Sequence, residues 1–121
     1  MLKIYTDETN PNITRWEFDR TTTWEDFHQG IDNLKEQAQN TDKTFSVIAT
    51  TTGQMPRGNA LSHLKRLIKV VGDYDVIERF VVINHKQNPV GQAFVGMALK
   101  LFAGHDKLRI VQSEEEALSL V

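Results

Sequence analysis

From residue 44 onward, short β-branched apolar runs alternate with longer segments of helical period, and this alternation constrains the fold more than any other feature. "FSVIAT" (45–50) reads as a buried strand. The loop "TTGQMPRGN" follows, then a helix, "ALSHLKRLIKVVG", with Leu61, Leu64, Leu67, Ile68 and Val71 on one side. "VIERFVVIN" (76–84) is a second such strand, and a helix over 90–103 is opened by "NP" and closed by Gly104. "LRIVQ" (108–112) is the last strand. "SEEEALSLV" ends the chain as a helix, with Ser113 and Glu116 spaced as a capping box. Strands separated by helices pair in parallel through right-handed crossovers.

The first forty residues add an edge to that sheet. "LKIY" (2–5) and "ITRWEF" (13–18) flank the turn "ETNPN", which suggests an antiparallel hairpin. The second strand sets Thr14, Trp16 and Phe18 against Ile13, Arg15 and Glu17, so one face is aromatic. A helix begins at "TTTWED", capped by Thr22 with Glu25 or by Thr23 with Asp26. Trp24, Phe27, Ile31, Leu34 and Ala38 form its apolar stripe. The expected fold is a single α/β domain over residues 1–121. It has a mixed, mostly parallel sheet, an N-terminal β-hairpin and four helices, in the order β-β-α-β-α-β-α-β-α.

This order and these lengths resemble the STAS domains, the fold of bacterial anti-sigma-factor antagonists and of sulfate-transporter tails. The most similar parts are "FSVIATTTGQMPRGNALSHLKRL" and "LRIVQSEEEALSLV". The resemblance implies a regulatory module working through a protein partner. In phosphorylatable members the second helix opens on an Asp-Ser-type pair. Here Arg57 and Gly58 stand in those places, and Ser62 lies about one turn further in. The phospho-switch is expected to be absent.

Composition excludes several other classes. The 121 residues carry 14 basic and 16 acidic side chains, net −2, so no global field draws the chain to nucleic acid. There is no cysteine, hence no disulfide or thiolate metal site. The opening "MLKIYTDETNP" lacks the apolar core of a signal peptide. The Asn12 sequon is therefore set aside, and a cytoplasmic location is expected. No apolar run reaches the roughly 18 residues that a membrane span requires.

Ligands of open α/β sheets bind outside the carboxyl ends of the parallel strands. That rim would carry Thr51, Thr52, Arg57, Gly58 and Asn59 after the 45–50 strand, and Asn84 and His85 after the 76–84 strand. Backbone N–H groups, a helix dipole and the Arg57 guanidinium there suit an anion. The structural alternative is a turn with Asn59 as N-cap. His28, His63, His85 and His105 show no zinc-site spacing, and no G-x-S-x-G elbow appears. No enzyme, metal or cofactor is expected; a hydrolase built on His85 is a remote alternative.

The charges are segregated. Glu25, Asp26, Asp32 and Glu36 accompany Lys35 on the first helix, while Lys65, Arg66 and Lys69 stand on the second without an acid. They form either two complementary solvated faces or a basic patch for an acidic partner.

In the helix over 90–103, ten of fourteen residues are apolar. Val90, Phe94, Met97, Ala98 and Leu101 lie on the sheet-facing arc, and Val95, Leu99 and Phe102 extend it. The extension either packs on the C-terminal helix through Leu118 and Leu120 or forms an exposed patch. Such a patch would serve a protein partner, a homodimer or a small apolar ligand.

Overall fold

The computed structural model describes residues 1–51, 60–84 and 100–121. The strands are β1 (Leu2–Thr6), β2 (Ile13–Phe18), β3 (Phe45–Thr51), β4 (Ile77–Ile83) and β5 (Leu108–Val111). The helices are α1 (Trp24–Gln39), α2 (Ala60–Asp73), the helical residues 100–102 (α3), and α4 (Glu114–Leu120). The fold is α/β, with a five-stranded, mostly parallel sheet.

The strands lie in chain order, β1-β2-β3-β4-β5. β1 pairs with β2 antiparallel, and every later pair is parallel. Each crossover advances by one strand in the same direction, and crossovers of one hand set their helices on one face. Phe27, Ile31 and Leu34 of α1, Leu64 and Leu67 of α2, and Phe102 of α3 accordingly join one core with Trp16, Val47 and Phe80. Ala117 and Leu120 of α4 pack on the other face, against Ile13, Ile48, Val81, Ile83 and Val111.

Local chemistry explains the boundaries. Thr23 is the N-cap of α1 in a full capping box with Asp26. Thr22 is not free to cap, because its hydroxyl donates to the Met1 carbonyl at 2.7 Å and accepts from the Asp19 N–H at 2.9 Å. At α4, Ser113 accepts from the Glu116 N–H at 3.2 Å, which is half of the expected box. The end of α2 is closed from outside, where Lys107 Nζ donates to the Val71 and Tyr74 carbonyls, each at 3.1 Å. Gly104, at φ 84°, occupies the left-handed conformation that ends α3.

Candidate functional site

The carboxyl ends of the parallel strands form the edge on which α1 and α2 begin. β2 ends at Phe18, β3 at Thr51, and β4 at Ile83 with Asn84 just beyond it. The Asn84 N–H donates to the Val111 carbonyl at 2.8 Å, which continues the ladder to β5. Thr51 is buried and lines an apolar cavity of about 20 Å³ with Phe18, Leu64, Phe80, Val82 and Phe102. Such a volume takes about one water-sized guest, whereas ligand pockets run to roughly 300–1,000 Å³.

Of the residues expected at the rim, Thr51 is at this cavity and Asn84 stands at the next strand end. Thr52, Arg57, Gly58, Asn59 and His85 lie outside the described residues. So do Val95 and Leu99 of the extended apolar arc. Phe102, the third member of that arc, is only 6% exposed and belongs to the core shared with α1 and α2. It presents no exposed patch. It does not meet α4 either, since Leu120 packs on the opposite face of the sheet and Leu118 is exposed.

A polar cluster joins the N-terminal halves of α1 and α2. His28 Nε2 lies 2.7 Å from His63 Nδ1, and Arg66 Nη1 lies 3.0 Å from His28 Nδ1. Arg66 also donates to the His28 carbonyl at 3.3 Å, and its Nη2 is paired with Asp32. Trp24 stacks on His63, with ring centroids 4.4 Å apart and planes at 11°.

Arginine can only donate, which sets the direction of every bond in this chain. His28 Nδ1 must accept from Arg66, so the His28 proton is on Nε2. That Nε2–H donates to His63 Nδ1, and a neutral His63 then carries its own proton on Nε2. The order is Asp32 ← Arg66 → His28 → His63. Burial, then Arg66 and then His63 hold the His28 imidazole below its ordinary value of 6.5, with Asp32 opposing them. A metal on His28 Nε2 would require a proton on Nδ1, facing the guanidinium, so the tautomer disfavours that use.

Metal-ligand spacing within one helix is the wrong test for this cluster, because the two histidines stand on different helices. The usable signal is a pair of polar stripes. Trp24, His28 and Asp32 repeat at four residues on α1, and His63 and Arg66 at three on α2. The acidic and basic helices are therefore complementary through Arg66 and Asp32, while Lys65 and Lys69 remain exposed.

No protein-family model, curated protein or solved structure matches the chain. Among the described residues, no three metal-ligating side chains are grouped to hold an ion, and no helix is long and apolar enough to cross a membrane.

Proposed function

We propose that the chain is a cytoplasmic regulatory or protein-interaction module of STAS-like type that acts by binding rather than by catalysis and lacks a phosphorylatable serine switch. The observation that carries this reading is the β-β-α-β-α-β-α-β-α order laid out as consecutive strands. Element order is what the STAS resemblance rests on, and the described fold keeps that order. Ser62, the hydroxyl nearest the expected phosphosite, is exposed within the first turn of α2. It therefore sits past the helix start where the family's serine stands.

A second reading, a carrier or sensor for a small apolar or anionic ligand, draws on the cavity between Thr51 and Phe102. Its size weighs against this. A guest larger than a water would have to part Phe102 from Leu64 and Phe80.

Native mass spectrometry of the purified protein separates the two. A homodimer supports the interaction module; a stoichiometric small-molecule adduct overturns it in favour of the carrier. Incubation with a STAS-type kinase and ATP should add no phosphate to the start of α2, and stoichiometric phosphate on Ser62 would show that a switch is present.

A further inference from the structure

The contact between His28 and His63 has a property that follows from its hydrogen bonds alone. A neutral pair of imidazoles offers two bare nitrogens to an incoming proton. Here both are already acceptors: His28 Nδ1 accepts from Arg66, and His63 Nδ1 accepts from His28. A proton on His28 Nδ1 would point at the guanidinium. A proton on His63 Nδ1 would point at the His28 Nε2–H. Either site gains its proton only by giving up one bond of the chain.

We propose that His28 and His63 form a proton-operated catch between α1 and α2, closed while both imidazoles are neutral and opened when the pair takes up a proton from solvent. The catch ties the fifth residue of α1 to the fourth of α2. Both helices start at the carboxyl edge of the sheet, so opening changes how their N-terminal ends sit beside Thr51. Among the described residues, the charged groups facing the pair are Arg66 from α2, which opposes the incoming proton, and Asp32 from α1, which favours it. Trp24 stacks on His63, and Phe27 meets the edge of His28 at 5.8 Å, so apolar rings bound the pair on the α1 side.

The sign of the pH dependence follows from the lowered His28 imidazole. The folded form prefers it neutral, so the contribution of the catch is complete above the ordinary value of 6.5 and is lost as pH falls below it. The open state is thus an acid state.

Imidazole and amide NMR of the whole chain between pH 8 and pH 5 tests this. At pH 7.5, long-range proton–nitrogen correlation should show His28 protonated on Nε2 and bare on Nδ1. On acidification, amides of residues 24–32 and 60–67 should shift in one step with a midpoint below 6.5. Their hydrogen exchange should rise about tenfold or more while β3 and β4 stay protected, as expected of a local opening. His63→Phe keeps a ring against Trp24 but has no lone pair, and it should abolish the step. Arg66→Met leaves His28 Nδ1 bare, so His28 can take a proton there and keep its Nε2–H bond to His63. Its imidazole should titrate higher than in the parent while the amide step shrinks. The proposal is overturned by a His28 proton on Nδ1 at pH 7.5 in the parent chain, which requires no variant to fold. It is equally overturned by a step that persists in His63→Phe, by an amide step undiminished in Arg66→Met, or by acid unfolding of the whole chain with the same midpoint in parent and His63→Phe.

Discussion

Trp16 and Phe80 meet edge to face across an intervening strand, with ring centroids 5.2 Å apart and planes at 88°. Trp16 stands on β2 and Phe80 on β4; β3, between them, places Ala49 beside Trp16 and Val47 beside Phe80. The small side chain of Ala49, 1% exposed, leaves the room in which the rings touch. Edge-to-face pairs add about 0.5–1.5 kcal/mol beyond burial. Phe80→Ala should therefore cost about 3–5 kcal/mol. Ala49→Leu should cost about 1–3 kcal/mol by overpacking the same space. Urea melts measure both, and a loss below about 1 kcal/mol for Phe80→Ala would place that ring outside the core.

Gly30 marks where α1 comes closest to the hairpin. A Cβ built there would stand 2.6 Å from Leu2 Cδ2 and 3.3 Å from Trp16 Cη2. Alanine gains up to about 1 kcal/mol of helix propensity over glycine, so the sign depends on whether Leu2 can yield. Leu2 is a half-buried edge residue with a flexible tip, whereas Trp16 is fixed in the core. Gly30→Ala alone should fall within about 1 kcal/mol of the parent. In a Leu2→Ala background the same change should become more favourable, with a coupling of at least about 0.5 kcal/mol in a double-mutant cycle. Additive energies would mean that Leu2 is not what Gly30 accommodates.

The periodic features of the sequence transfer to the structure because they are local. The alternation in "ITRWEF" fixes the two faces of β2, and the Thr23–Asp26 spacing fixes the start of α1. What depends on packing between elements is not legible in this way. Two frames of the α1 cap fit the sequence equally, and a contact to the Met1 carbonyl decides between them. The width of the apolar stripe that includes Phe102 is visible in the sequence, but which helices flank it is not. The meeting of His28 and His63 spans 35 residues and depends on how far α1 and α2 are offset along their axes. Helix periodicity alone carries no information about that offset.

Arg15 ties the β1–β2 turn to the start of α4. Its Nε donates to Asp7 Oδ2 at 2.7 Å in the β1–β2 turn, and its Nη1 pairs with Glu114 at the start of α4. Arg15 foremost, and then the Thr9 hydroxyl, hold the Asp7 carboxyl well below its ordinary value of 3.8. An acid lowered in the folded state contributes stability that is complete above its ordinary value and lost as pH falls below it. Arg15→Met should raise the Asp7 carboxyl toward 3.8, followed by carboxyl carbon NMR. The fall in urea midpoint below about pH 4 should then be shallower than in the parent. An Asp7 titration unchanged in Arg15→Met would assign the shift to the turn alone.

Phe102 decides whether α3 lies in the core or at the surface. It is buried against Leu64, Phe80 and Thr51 and forms one wall of the 20 Å³ cavity. Removing the ring in Phe102→Ala should merge its volume with that cavity and cost about 3–5 kcal/mol. An exposed interface residue would instead cost within about 0.5 kcal/mol. The enlarged space is lined by Phe18, Leu64 and Val82, and a dry apolar cavity of that kind takes up benzene or xenon. A ligand that binds only the folded chain raises stability with its concentration, so benzene-saturated buffer should restore part of the loss in Phe102→Ala and do nothing for the parent. Rescue confined to the variant means that the native cavity is closed to apolar guests. Stabilisation of the parent by benzene would mean that Phe102 already moves aside, and the carrier reading would gain the site it needs.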